Sequence, residues 1–113
     1  MTPNTLETGA CGGAFLLDES NPDDIFTPDS LSEEHRMIRD MVASFMEDKV
    51  MPNVERIEHQ EAGLMKQILK EGAELGLLGA EIPEQYGGME LDILSLMLIG
   101  EQVARLASFS VSF

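Results

Sequence analysis

From Ser30 onward, apolar residues return every three or four positions with charged residues between them. Leu31, Ile38, Met41, Val42, Phe45, Met46 and Val50 fall on one side of an amphipathic helix of about five turns. Its start has two candidate caps. Ser30 and Glu33 have the Ser-x-x-Glu spacing of a capping box, and Ser32 serves equally well, with acids clustered in the first turn where the helix dipole favours them. Pro52 interrupts the pattern, because it lacks an N–H and its ring collides with the preceding turn. The chain either resumes as a helix through Val54 and Ile57 or kinks there.

A second stripe, Leu64, Met65, Ile68, Leu69, Ala73 and Leu75, ends at Gly76, where a left-handed C-terminal cap is common. A third helix begins after Asp92, a good N-cap, and is apolar on nearly all sides in its first half. All-round hydrophobicity predicts a helix buried between others. The final stretch, ASFSVSF, begins either a fourth helix or a strand. No strand pattern competes with these helices, so the fold class is all-α, an orthogonal or antiparallel helical bundle with short or medium connections. The chain ends on Phe109, Val111 and Phe113 with no charge or turn signal after Arg105, which is expected of a piece cut from a longer protein.

Residues 1–30 differ in character, being rich in Thr, Asn, Gly, Asp and Pro. They read as an extended arm preceding a domain at 31–113, with Phe15, Leu16, Leu17, Ile25 and Phe26 either docking on a body or left on a loose tail. The arm has no basic start and its apolar run is too short for a secretory signal. No stretch approaches the ~20 apolar residues of a membrane span, and the expected location is cytoplasmic. The one cysteine, Cys11, cannot form an intrachain disulfide and reads as a solvated bystander thiol.

The charge balance narrows the function classes. Twenty-one acids against seven Lys and Arg give a net charge of −14, with no basic stripe to replace the counterions of a nucleic acid. The acidity also argues against an anionic membrane surface.

Candidate chemistry is sparse. The stretch GLLGAEIPEQYGGMELD, Gly76 to Asp92, is glycine-rich, but it has neither the Lys-Ser/Thr of a P-loop nor a preceding strand with Gly-x-Gly-x-x-Gly. Asp29-Ser30-Leu31 matches the attachment signature of acyl carrier proteins, yet no long helix precedes it by pattern, and capping accounts for Ser30. Glu33, Glu34, Glu47, Asp48, Glu55, Glu58 and Glu61 have solvent-face spacing. His35 and His59 have no metal-type partners and no Ser-His-Asp set stands out, so no metal site and no catalytic residue are assigned.

The order of the segments nevertheless resembles one family. Ser32-Glu33-Glu34-His35-Arg36-Met37-Ile38-Arg39-Asp40 is similar to the opening of the first helix of acyl-CoA dehydrogenases, and Val50-Met51-Pro52 to its exit. Glu74-Leu75-Gly76-Leu77-Leu78-Gly79 resembles the next helix and turn, and Ile82-Pro83-Glu84-Gln85-Tyr86-Gly87-Gly88 the family's Pro-Glu-x-Tyr-Gly-Gly signature. Leu98 to Arg105 resembles the following helix, and the arm at Gly12 to Leu17 is similar to longer N-termini in one bacterial branch and in the long-chain enzymes.

The resemblance implies the N-terminal helical domain of a FAD enzyme that oxidises acyl-CoA to the trans-2-enoyl-CoA. Such an enzyme would hand electrons to an electron-transfer flavoprotein and be a homodimer or homotetramer at full length. It implies that the catalytic base and the FAD site lie outside this chain, and that Phe109, Val111 and Ser112 begin the wall of the acyl pocket. The alternatives are an acyl-carrier-like domain or an acidic protein-interaction module.

Overall fold

The computed structural model describes residues 13–113, which fall into two units, one ending at Leu31 and the other running from Ser32 to Phe113. Cys11 and Gly12, with the expectations placed on them, lie outside the described residues.

In the first unit the chain makes three single 3-10 turns, Ala14–Leu16, Pro22–Asp24 and Pro28–Ser30. Asn21 and Thr27 precede prolines at the first position of their turns, where the missing N–H costs nothing. Leu16, Leu17 and Phe26 are exposed. Ser30 does not open the first long helix. It ends its own proline-started turn, and its Oγ accepts the Thr27 N–H at 3.2 Å. That geometry also removes the footing of the carrier reading, since no helix starts at Ser30.

The second unit contains α1 (Glu33–Phe45), α2 (Val54–Glu58), α3 (Leu64–Glu74), α4 (Ile93–Val103) and α5 (Ala107–Ser110), and no strand occurs among the described residues. Ser32 caps α1, its Oγ accepting the His35 N–H at 3.1 Å. After α1 the chain widens into a π-helical turn, Met46–Val50, closed by a bond from Met51 N–H to Met46 O, and then tightens into a 3-10 turn, Met51–Asn53. The wide turn makes room for the Pro52 ring while the chain stays helical into α2. Asn53 Nδ2 donates to Lys49 O at 2.8 Å, satisfying a carbonyl in the irregular stretch.

α3 ends as its sequence predicts, with Gly76 at φ +81° donating to Ala73 O at 2.9 Å. Asp92 caps α4, accepting the Ser95 N–H at 3.0 Å. The terminal ASFSVSF becomes the short helix α5 and not a strand.

The core gathers Val42, Phe45 and Met46 from the first helical run, Ile57, Leu64 and Ile68 from α2 and α3, and Ile99, Val103 and Phe109 from α4 and α5. α1 packs along α4. Gly72 allows α3 close to that core, since a Cβ there would stand 3.4 Å from the Phe45 ring. α4 departs from the all-round burial that its composition predicts. Ser95, Leu98, Ile99 and Val103 are buried, whereas Ile93 on the other side is 72% exposed and Met97 is also exposed. In this unit α4 has one covered face.

Candidate functional site

The glycine-rich stretch folds into a closed loop. Met89 N–H donates to Gly79 O at 3.0 Å, Leu91 N–H to Ala80 O at 2.8 Å and Glu90 N–H to Ile82 O at 3.0 Å. Gly87 and Gly88 N–H groups donate to Glu84 O and Pro83 O. Gly88 lies so close to the other limb that a Cβ would fall 1.9 Å from Ile82 O, so only glycine fits. The Glu90 carboxylate turns back to accept the free Glu84 N–H at 3.2 Å.

The amide donors from Gly87 to Leu91 are therefore all used inside the loop, and its charged side chains, Glu81, Glu84 and Glu90, are all acidic. A nucleotide diphosphate needs free N–H groups or cations. The loop does not fit the diphosphate of FAD.

At the loop's exit the fold brings Asp92 to Ser32 and His35, nearly sixty positions away in the sequence. Ser32 Oγ lies 2.9 Å from His35 Nδ1, and His35 Nε2 lies 2.8 Å from Asp92 Oδ2. All four groups are satisfied when Ser32 O–H donates to Nδ1 and Nε2–H donates to Asp92. The connectivity is that of a hydroxyl–imidazole–carboxylate relay. Its ends, however, are spent on caps. Ser32 Oγ also accepts the first-turn amide of α1, and Asp92 Oδ1 that of α4. The three residues clasp two helix N-termini. Hydrogen bonds from Ser95, and then from His35, hold the Asp92 carboxyl down at about 2, although its side chain is 57% exposed.

His59 is likewise a structural group. Its Nδ1 donates to Glu55 O at 2.7 Å at the end of α2. Beside it, the Arg56 guanidinium grips the Glu61 carboxylate and donates to Asn53 Oδ1 at 2.8 Å. The hydrogen bond from Arg56 lowers the Glu61 carboxyl below its ordinary range.

This corner forms one side of a cleft of about 510 Å³. Ile57 and Glu58 of α2, the turn Gln60, Glu61, Ala62 and Gly63, and Met65 of α3 face Ser108, Val111 and Ser112 across it. Ser108 Oγ–H donates to Glu58 Oε1 at 2.6 Å. Val111 is 86% exposed. A second, smaller hollow of about 280 Å³ lies between Leu77, Leu78 and Ala80 on one side and Leu96, Ile99 and Gly100 of α4 on the other.

Of the three residues expected on a pocket wall, the structure brings Val111 and Ser112 to the larger cleft. It places Phe109 in the core at 0% exposure, its ring 6.2 Å from that of Phe45 and 5.7 Å from that of Phe113. Glu58 and Ser108 were not distinguishable in sequence. One reads as a solvent-face acid and the other as a small residue, and they are joined only by the fold.

Comparison with known proteins accords with the segment order. Residues 32–113 match the family described as acyl-CoA dehydrogenase, N-terminal domain. A probable acyl-CoA dehydrogenase of Bacillus subtilis is 40% identical over 102 residues, covering 90% of this chain and 17% of that protein. The mitochondrial isovaleryl-CoA dehydrogenase of Pongo abelii is 36% identical over 76 residues, covering 66% of this chain and 18% of its own length.

The crystal structure of an acyl-CoA dehydrogenase complexed with FAD, from Bacillus anthracis, superposes with a TM-score of 0.78 at 43% identity. It covers 91% of this chain and 18% of that one. The chain thus spans less than a fifth of the length of these relatives. Among the described residues, no helix is long and apolar enough to cross a membrane. By its matched residues and its helical fold, the chain belongs to the acyl-CoA dehydrogenase family and represents the N-terminal domain.

Proposed function

We propose that residues 31–113 are the N-terminal helical domain, and residues 1–30 its arm, of a FAD-dependent acyl-CoA dehydrogenase. The enzyme oxidises an acyl-CoA to the trans-2-enoyl-CoA in fatty-acid or related acyl-CoA degradation. The observation that carries this reading is the match to a FAD-complexed acyl-CoA dehydrogenase over 91% of the chain at 43% identity. FAD supplies the hydride acceptor when bound. The catalytic base and the groups holding FAD belong to the part of the enzyme outside this chain, in keeping with a glycine loop whose Gly87–Leu91 amides are already used.

The domain's own contribution is to the acyl wall. Ile57, Met65 and Val111 give the cleft an apolar lining suited to an aliphatic tail, with Ser112 at its edge. Phe109 supports that wall from the core. The enzyme is a cytoplasmic homodimer or homotetramer that passes electrons to an electron-transfer flavoprotein.

The test is expression of the chain alone and joined to the remainder of the enzyme, followed by flavin absorbance and dye reduction with acyl-CoA thioesters of graded length. The expected outcome is a colourless, inactive isolated chain and a yellow, active full-length protein. A full-length protein that binds no flavin, or binds it and reduces no dye with any acyl-CoA, would overturn the reading.

A further inference from the structure

We infer that Glu58 is a positioning residue. It holds the cleft-side flank of α5 and thereby places Val111 and Ser112 in the cleft. The inference rests on the reading of that cleft as part of an acyl wall and adds to it the group that aligns the wall.

α5 has four residues, about one turn. Phe109, between Phe45 and Phe113, holds that turn to the core, and the partly buried Leu106 and Phe113 pack against the same core on either side of it. Spaced three and four apart, these apolar residues share one face and fix the depth of the turn, while its flank toward the cleft is held by other bonds. Ser108 leaves the axis about 100° from Phe109, and its hydroxyl donates to Glu58 Oε1 at 2.6 Å, within the short range of bonds to a carboxylate. This bond holds the flank of the turn that the apolar face leaves unheld. Val111 and Ser112 lie three and four residues beyond Ser108, on the same side of the turn, and all three line the cleft. Whatever fixes Ser108 fixes them.

Glu58 suits that role because it stands on a braced corner. It is the last residue of α2, next to the buried Ile57. Asn53 is tied to Lys49 O, Arg56 to Asn53 and Glu61, and the His59 ring to Glu55 O. The Glu61 N–H donates to Arg56 O at 3.0 Å. The carboxylate is therefore presented by a rigid support.

The test has two arms. In the first, amide hydrogen exchange is measured on the 113-residue chain. The Ser110, Val111, Ser112 and Phe113 N–H groups bond to Leu106, Ala107 and Phe109 carbonyls and report on α5. Glu58→Ala and Ser108→Ala should each speed their exchange by about fivefold, the size of one net hydrogen bond. The double variant should exceed neither single, Val42 and Phe45 amides in α1 should be unchanged, and Glu58→Gln, which keeps an acceptor oxygen, should resemble wild type. Unchanged α5 exchange in both single variants, or Glu58→Gln behaving like Glu58→Ala, would overturn the inference. Ser108→Ala removes one oxygen and serves if Glu58→Ala does not fold.

In the second arm, the flavin-loaded full-length enzyme should show a KM for acyl-CoA about fivefold higher in Glu58→Ala with kcat within twofold, restored by Glu58→Gln. A response in exchange with KM unmoved at every acyl length would leave α5 pinned by Glu58 but remove the cleft from the acyl wall, and the inference with it.

Discussion

The Gly79–Leu91 loop and the α5 end of the chain are both short and irregular, yet they are built in opposite ways. The loop buries little and is held by its own backbone. Its amides close on its own carbonyls, and Gly88 sits against Ile82 with no room for a side chain. The α5 end has only one helical turn of backbone bonds and is held by side chains, Phe109 in the core and Ser108 on Glu58. The amides from Gly87 to Leu91, where the glycines lie, are spent within the loop and are not available to a ligand. A stretch held through side chains keeps Val111 and Ser112 free to face a cleft. The glycines attract attention in the sequence, but the cleft lined by Val111 and Ser112 is at the other end.

Phe109→Ala should be the most damaging single change, costing about 3–5 kcal/mol in urea unfolding, because it empties a fully buried ring site between two other rings. A cost below about 1 kcal/mol would mean that α5 is not core-anchored. Gly88→Ala should cost about 2–3 kcal/mol, since the new Cβ meets a backbone carbonyl that cannot move without opening the loop. Its effect on amide exchange should be largest from Gly87 to Leu91 and small in α5. Equal effects in both regions would show that the loop and α5 are one cooperative unit and not two independent constructions.

The smallest effect concerns acid. The Asp92 carboxyl is depressed to about 2, so its contribution is complete above the ordinary carboxylate range near pH 4 and is lost as pH falls toward 2. Asp92→Asn keeps an N-capping oxygen and should flatten the loss of stability over that interval, with little change at pH 7. The effect is modest because the group is largely exposed. An unchanged acid slope in the variant would remove the His35–Asp92 clasp as a source of acid sensitivity.

Much of this architecture was legible because it is local. The stripes of α1 and α3, the Gly76 stop and the Asp92 cap each depend on residues within one or two turns, and the structure has the helices, the stop and the cap, with Ala73 and Leu75 at the end of the α3 stripe left exposed. Two caps competed for α1, and Pro28, by starting a turn of its own, decided for Ser32. The π-helical turn before Pro52 has no pattern of its own, since Met46 and Val50 keep an ordinary helical spacing.

The candidate site was legible only in part. Val111 and Ser112 came from family resemblance, and Phe109 came with them although it packs inward, because segment order does not tell which way an aromatic turns. Ser108–Glu58 and His35–Asp92 join positions 50 and 57 apart, and no periodicity reports such pairs. α4 reads as buried throughout because composition counts apolar residues and not the neighbours available to cover them.

The packing of α1 on α4, with the His35–Asp92 clasp across 57 positions, also governs when the domain can form during synthesis. At roughly 5–20 residues per second, α4 leaves the ribosome about 3–11 s after α1. Through that interval Val42, Phe45 and Met46 have no partner on α4. The nascent α1 therefore carries its apolar stripe uncovered until α4 emerges, and a rare-codon pause between the two helices would lengthen that exposure.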